Sequence, residues 1–484
     1  MLSSSRMKLS RAVSVFAASV LAHSSGEHHH HDHHHNHPHP DLGAVCGPGA
    51  LPVNGESSCQ SESELLAGVQ QDIFAEKPVE VEGWKCPNGT DCDYAHKHKW
   101  THSTPCFRGN VTGQDFCVFT DTEFAEGRGT SFVMTGRRAD YIATTPAFAD
   151  PQYHEGTNQD LKRTIPLKYD MKEFPGKGWG LVANQFISRG DLIMANTPSL
   201  MIDYRVFDEL TKDEYKKLQV YAVDYLPEKH RAAVLALSTH GQTFDSHEDL
   251  VEKIGETNAF DIEADDGDEI QDYGFFVVFP EIARFNHDCR PNADYYFDHS
   301  SLTQFIHATR DVQPGEELTL SYINPVMLRV ARMAKLARNW GFQCACSACT
   351  QERARAEASD ARIRQIKELK ALLRSWKADS PASPQMAELF ISLYEQEKLG
   401  GSMYSAYSFA ALEYNAVGDP WTATKYARLA VDHGIPMVGE QAADVVEMKK
   451  LADDPWAHWS WMLRTKKRSG WGRDDEDEVD DDDE

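Results

Sequence analysis

Four cysteines in the second half of the chain are the residues best suited to metal chemistry. Cys344, Cys346 and Cys349 form a CxCxxC run, which supplies three thiolates from one short stretch of backbone. A structural zinc site takes four ligands, and Cys289 is the only other cysteine outside an N-terminal cluster. The count predicts a Zn²⁺ site formed by these four residues, with disulfide formation or simple burial as the competing interpretation.

Three polar motifs accompany these cysteines. A glycine-bearing turn, Lys177-Gly178-Trp179-Gly180, precedes an expected strand, and Asn286-His287 lies just before Cys289. Gly315-Glu316-Glu317-Leu318 follows, with Tyr322 four residues further on. Taken singly the motifs are ambiguous, because the glycines of a lone GxG most often serve only a tight hairpin.

Regular elements are expected around these motifs. Residues 203–258 show near-helical apolar spacing, and residues 274–280 read as a buried strand. The apolar spacing within residues 325–340 predicts a helix. Its expected core face contains Val326, Val330, Met333, Ala337 and Trp340, and its basic stripe contains Arg329, Arg332, Lys335 and Arg338.

In their order along the chain, GxG, NHxCxPN, GEELxxxY and CxCxxC resemble the motifs of a SET-domain protein-lysine methyltransferase. The resemblance covers residues 165–350. The helical insertion and the Phe-x-CxCxxC ending are most similar to the SET-and-MYND group, but the insertion holds no cysteines and therefore no MYND zinc finger. The resemblance implies an α+β chain: an all-β SET fold with a pseudoknot and a helical insertion, a zinc-bound post-SET segment, and an all-helical, tetratricopeptide-like C-terminal region.

The resemblance also implies the cofactors S-adenosyl-L-methionine and Zn²⁺ and a lysine-bearing protein substrate, with histones as candidates. Tyr322 would lie at the methyl-transfer channel as the catalytic residue. The implied cofactor-binding residues are Lys177, Gly178, Trp179, Asn258, Asn286, His287, Tyr322 and Phe342. The alternative function is a catalytically weak SET-fold scaffold that acts through its helical C-terminus.

The domain organisation follows from these motifs and from shifts in composition. The expected segments are a signal peptide at 1–22, a His-rich linker at 23–44, a Cys-rich region at 45–150, a SET domain at 160–325 with its insertion at about 203–270, a post-SET zinc segment at 326–350, a helical region at 351–465 and an acidic disordered tail at 466–484.

The N-terminal sequence predicts entry into the secretory pathway. A largely apolar stretch of eleven residues at 12–22 follows three cations, which is the pattern of a signal peptide. Two N-glycosylation sequons at 88–90 and 110–112 lie among six cysteines, which predicts disulfides with fifteen possible pairings. Nuclear or cytoplasmic location is the alternative, because the methyl donor and histones are expected there.

The net charge of the chain limits the classes of partner that its surface can bind. The chain has 49 Lys and Arg against 75 Asp and Glu, a net charge of −26, and residues 474–484 hold ten of the acidic side chains. Such a surface does not favour direct nucleic-acid binding. No apolar run is long enough for a membrane span, and the sequence assigns no oligomeric state.

The C-terminal third is expected to be helical. Residues 411–434 resemble one tetratricopeptide helix pair. Trp456, Trp459 and Trp461 are expected to be buried anchors of the last helix.

Overall fold

A computed structural model describes residues 50–52, 59–61, 98–154, 156–159, 166–263 and 274–469. The chain divides into two units, residues 1–95 and residues 96–484. In the first unit, strand β1 (Ala50–Pro52) pairs antiparallel with β2 (Cys59–Ser61). The expected signal peptide, the histidine run, the first sequon and residues 474–484 lie outside the described residues.

The second unit combines strands and helices. Its strands are β3 (Cys106–Arg108), β4 (Asp115–Asp121), β5 (Thr130–Thr135), β6 (Tyr169–Phe174), β7 (Gly178–Ala183), β8 (Leu192–Asn196), β9 (Leu200–Asp203), β10 (Phe260–Glu263), β11 (Gly274–Val278), β12 (Asn286–His287), β13 (Ala293–Asp298), β14 (Thr303–Ala308) and β15 (Glu317–Leu320). Its helices are α1 (Phe124–Gly127), α2 (Gly136–Ile142), α3 (Pro146–Ala149), α4 (Arg205–Glu209), α5 (Lys212–Asp224), α6 (Glu228–Leu235), α7 (His247–Asn258), α8 (Arg329–Trp340), α9 (Arg353–Arg374), α10 (Pro384–Gln396), α11 (Met403–Ala416), α12 (Pro420–Val438), α13 (Ala443–Asp453) and α14 (Leu463–Ser469).

The largest sheet joins N-terminal strands to central ones. Its order is β10-β11-β9-β5-β4-β3, and β5 pairs in parallel with β9. The pairing of β3 with β4 brings Cys106 opposite Cys117, where the two form a disulfide. Part of the expected Cys-rich region therefore contributes strands to the same sheet as β9 and β11. The other four cysteines of that region have no described side chains.

A smaller sheet positions the polar motifs. Its order is β12-β15-β7-β6, in which β12 pairs in parallel with β15, and β15 pairs antiparallel with β7. Asn286 lies opposite Thr319, and Glu317 lies opposite Val182. Three segments that are far apart in sequence therefore lie side by side. A third sheet has the order β13-β14-β8.

The insertion between β9 and β10 contains helices α4 to α7, in agreement with the helical spacing of its sequence. Thr211 and Glu214 form a capping box at the start of α5, and Ser246 caps α7. These caps satisfy backbone N–H groups that a helix leaves unpaired at its first turn. Apolar side chains of α5 and α7, such as Leu218 and Ile254, pack in one core with Val118 of β4.

Helices α8 to α14 form the C-terminal region, and helix α14 runs through Ser469, within the segment expected to be a tail. Gly418, in the left-handed conformation, separates α11 from α12. The expected burial of the tryptophans is wrong for two of them, because Trp456 is 51% exposed and Trp459 is 48% exposed. Trp456 packs edge-on against Trp421, itself exposed, rather than into a core. None of the described helices combines the length and apolar character that a bilayer crossing requires.

A buried ion network joins the C-terminal helices to the sheet region. Arg290, which follows Cys289, pairs with the Glu397 carboxylate at 2.5 Å. Arg362 of α9 pairs with the other oxygen of that carboxylate at 2.7 Å. The Ser359 hydroxyl donates to the oxygen that Arg290 contacts. Glu397 lies directly after α10, so one carboxylate connects α9, α10 and the loop after β12.

Candidate active site and cysteine cluster

The four cysteines singled out in the sequence form one cluster. The sulfurs of Cys289, Cys344, Cys346 and Cys349 all lie within 4.8 Å of one another, and all four residues are free cysteines. Tetrahedral zinc with Zn–S bonds of about 2.3 Å places its sulfurs about 3.8 Å apart, so the donor set and its spacing fit Zn²⁺. Gly341 ends α8 in the left-handed conformation and turns the chain into the cysteine loop.

Hydrogen bonds among the four thiols shift their pKa values in opposite directions. They lower the pKa of Cys346 and Cys349 and raise that of Cys289 and Cys344. Metal-binding cysteines coordinate as thiolates, so these hydrogen bonds favour the ligand form at Cys346 and Cys349.

Helix α8 buries only part of the face that its sequence predicts. Val330, expected in the core, is 75% exposed, whereas Arg332, expected on a basic stripe, is 1% exposed. The Arg332 side chain donates to the Met327 carbonyl. Burial alone would lower the pKa of Arg332, but the sulfurs of Cys289 and Cys349 beside it outweigh burial and raise that pKa. The prediction is therefore wrong for Val330 and Arg332, because the cysteine cluster stabilises a buried cation, whereas Met333 and Trp340 pack against that cluster as the expected core face requires.

His287 connects the cysteine cluster to Tyr322. The Tyr322 backbone N–H donates to His287 Nδ1 at 3.0 Å. The other ring nitrogen, Nε2, lies 3.3 Å from the Cys289 sulfur, to which it donates. Burial lowers the pKa of His287 to about 4. The imidazole is therefore neutral at pH 7, in the one tautomer that satisfies both contacts.

Tyr322 lies in a group of aromatic rings. Its ring centroid is 5.3 Å from that of His287 and 5.5 Å from that of Trp340, while Phe342 lies 6.0 Å from His287. The Tyr322 hydroxyl donates to the Phe285 carbonyl at 2.7 Å. Burial, together with the charge of Glu317, raises the pKa of Tyr322. The phenol therefore stays protonated, and its oxygen retains lone pairs that can accept a hydrogen bond.

Polar side chains adjoin this aromatic group. The Asn286 amide donates to Glu317 Oε1 at 3.0 Å and lies 3.5 Å from the Trp179 carbonyl. Lys177 pairs with the second Glu317 oxygen at 2.6 Å. Gly180 permits this approach, because a Cβ there would lie 2.4 Å from the Asn286 amide nitrogen. Lys177 and Asn286 thus converge on the Glu317 carboxylate, while the Trp179 carbonyl and Gly180 adjoin the Asn286 amide.

The motifs of the sequence assign no role to Glu317, although this residue belongs to the GEEL motif. The sequence carries no signal for that role, because the partners of Glu317 come together only when β15 lies between β7 and β12. Asn258 lies apart from the group just described. Its side-chain amide donates to the carbonyls of Ser238 and Ile254, each at 2.9 Å. Among the contacts of the described residues it makes none to Asn286 or Tyr322.

Comparison with known proteins agrees with this geometry. The family model described as "SET domain" matches residues 178–323, so the chain contains a SET domain. The chain is 28% identical over 201 residues to "Histone-lysine N-methyltransferase set5" of Schizosaccharomyces pombe. The aligned segment covers 41% of this chain and 56% of that protein.

Two further relatives extend the comparison. "Potential protein lysine methyltransferase SET6" of Saccharomyces cerevisiae is 31% identical over 31% of this chain and 42% of its own length. Human "Histone-lysine N-methyltransferase SMYD3" is 35% identical over 18% of this chain and 19% of its own length. The resemblance to SMYD-type lysine methyltransferases is confirmed, although the chain spans only about half the length of the fission-yeast relative and less of the other two.

Proposed function

We propose that the chain is an S-adenosylmethionine-dependent methyltransferase that modifies lysine side chains of proteins. The observation that carries the proposal is that the cysteine cluster, His287 and Tyr322 are joined by two hydrogen bonds beside the polar group around Glu317. The relatives named as histone lysine methyltransferases support histones as the substrate class.

The residues on the smaller sheet fit the cofactor. Its amino-acid portion carries an ammonium and a carboxylate, for which Glu317 and Lys177 offer opposite charges and Asn286 offers an amide. Phe342 offers a ring for the adenine, and Gly178 and Trp179 offer backbone groups. The assignment of Asn258 stays a prediction, because its amide hydrogens serve two carbonyls. When bound, S-adenosylmethionine supplies an electrophilic methyl group.

The acceptor lysine has to lose its proton before it reacts. A free lysine has a pKa of about 10.4, so deprotonation at pH 7 costs roughly 4–5 kcal/mol. The aromatic surroundings formed by Tyr322, Trp340 and Phe342 disfavour an ammonium by desolvation. Tyr322 does not act as a base, since its pKa is raised. It instead accepts a hydrogen bond from the lysine amine and holds it in line for displacement.

The four cysteines give a bound Zn²⁺ a mechanical role. Cys289 follows the pair Asn286-His287 by two residues, while Cys344 follows Phe342 by two. A metal bound by these thiolates therefore fastens the adenine side of the site to the strand that carries Asn286. His287 donates to one ligand sulfur, which orients that ligand as outer-shell partners do in metal sites.

A nuclear or cytoplasmic location suits this activity better than the expected export, because the relatives' names specify histones. The Cys106–Cys117 disulfide favours export instead, because disulfides are rare in reducing compartments. N-terminal sequencing of the mature protein tests the proposal. A chain that begins near His23 would contradict it.

A transfer assay tests the enzyme proposal. The intact protein is incubated with S-adenosylmethionine carrying a labelled methyl group and with core histones, and lysine methylation is mapped by mass spectrometry. Tyr322→Phe removes the accepting oxygen and is expected to reduce transfer at least 100-fold. Tyr414→Phe is the matched control and should leave transfer unchanged, because the Tyr414 hydroxyl donates to Glu388 within the C-terminal helices. Cofactor binding without transfer by the unaltered protein would favour the scaffold alternative.

A further inference from the structure

A positively charged groove lies between the cysteine loop and the C-terminal helices. It has a volume of about 400 Å³ and is lined by Ser347, Gln351, Arg355, Ala358, Arg362 and Lys398. We call it the basic groove, because three of its six lining residues are cationic and none is acidic.

Little of this charge is neutralised from within the groove wall. Arg362 pairs with Glu397, but the same carboxylate also pairs with Arg290, so its single negative charge is shared by two cations. Arg355 and Lys398 form no ion pair with any carboxylate in the part of the chain that the structure describes. The basic groove therefore keeps at least two uncompensated positive charges in a chain whose net charge is −26.

Lys398 has a backbone conformation that is uncommon for a residue with a side chain. This residue follows α10 in the left-handed conformation, with φ at 52°. Glycine is the usual residue at such a helix end, and a side chain there carries a small conformational cost. The lysine thus places an ammonium at the groove at a position where a neutral glycine would be less strained.

The chain itself contains a segment of matching charge. Residues 474–484 hold ten acidic side chains. The described chain ends with α14, where Lys467 donates to the Trp376 carbonyl and Arg468 to the Ala382 carbonyl, next to the C-terminal end of α9. Helix α9 has 22 residues and is therefore about 33 Å long. Residues 470–484, fifteen in number, can span up to about 50 Å when extended.

We propose that the acidic segment, residues 474–484, docks in the basic groove of the same chain. Its length allows it to run back along α9 to Arg355 near the start of that helix. Ser347 lies between the cluster cysteines Cys346 and Cys349, so the docked segment covers the outer side of the cysteine loop. The contact is electrostatic and therefore weakens as salt screens it.

Cross-linking of the full chain tests the contact directly. A carbodiimide joins a lysine to a touching carboxylate with loss of one water and no spacer. We expect an amide between Lys398 and a carboxylate of residues 474–484, at a yield independent of protein concentration. Lys398→Arg keeps the charge but removes the reacting amine, so this cross-link should disappear from the variant. Acidic-segment cross-links that reach other lysines but never Lys398 would overturn the proposal, as would cross-links formed only between two chains.

A binding measurement tests the charges. A fluorescent peptide of residues 470–484 is titrated into the full chain with its own acidic segment neutralised to Asn and Gln, and anisotropy is recorded. Arg355→Glu with Lys398→Glu should weaken binding at least tenfold, as should 0.5 M salt. Arg364→Glu with Lys367→Glu, exposed on α9 but outside the groove, is the matched control and should stay within twofold.

A duplex DNA probe distinguishes the other class of anion. If the paired substitution at Arg355 and Lys398 abolishes DNA binding but leaves peptide binding intact, the groove serves nucleic acid and the proposal is wrong. None of these measurements depends on methyl transfer, so they test the docking proposal independently of the proposed enzyme activity.

Discussion

Replacement of Glu397 by Gln is expected to destabilise the contact between the C-terminal helices and the sheet region. Glu397 is 3% exposed and accepts hydrogen bonds from Arg290, Arg362 and Ser359. Removal of one partner from a buried ion pair costs about 3–5 kcal/mol, because the other charge is left uncompensated. The side chain of Arg290 is 6% exposed but that of Arg362 is 30% exposed and can reach water, which favours the lower value, about 3 kcal/mol.

Urea denaturation followed by circular dichroism measures this loss. Glu395→Gln, an exposed neighbour on α10, is the control and should change the free energy of unfolding by less than about 0.5 kcal/mol. The pH dependence gives an independent readout. Burial alone would raise the pKa of Glu397, but hydrogen bonds from its three partners outweigh it and lower that pKa.

A carboxyl whose pKa is lowered by folding contributes stability above its unfolded pKa and loses it as the pH falls toward the folded value. The difference between wild type and Glu397→Gln should therefore narrow as the pH falls below about 4.5. A difference under about 1 kcal/mol at pH 7, or one that is unchanged down to pH 4, would refute the reasoning.

Three further predictions concern other parts of the chain. Gly180→Ala should weaken S-adenosylmethionine binding at least tenfold in a folded protein, measured by calorimetry, because the added Cβ displaces the Asn286 amide. Cys344→Ser should lower bound zinc, measured by mass spectrometry of the metal, from one per chain to well below one. Burial lowers the pKa of His230 to about 3, and its Nε2 accepts from the Ser199 hydroxyl. Stability should therefore fall as the pH drops below about 6.5, by about 3 kcal/mol at pH 4.5, and His230→Gln should remove this part of the acid sensitivity in urea titrations.

The sequence predicted the cysteine cluster because ligand number is a chemical constraint. Three thiolates in one loop need a fourth, and the count left only Cys289. The helical insertion and the helical C-terminal third could likewise be predicted, since apolar spacing reflects the side that each helix buries. The tetratricopeptide-like character of α11 and α12 stays a prediction.

Other features depend on three-dimensional neighbours that periodicity does not encode. Arg332 is buried because sulfurs from two distant segments stabilise its charge, so hydrophobic spacing misplaced Arg332 and Val330 on α8. Glu317 acquires its partners only when β15 lies between β7 and β12. Trp456 is large and apolar, which predicts burial, yet it packs edge-on against the exposed Trp421.

Titration calorimetry of the intact, zinc-loaded protein with S-adenosylmethionine tests the central claim most directly. The account predicts one binding site per chain and a much weaker interaction when Asn286 is replaced by Ala. A folded, zinc-loaded protein that releases no heat of binding at millimolar S-adenosylmethionine would contradict it.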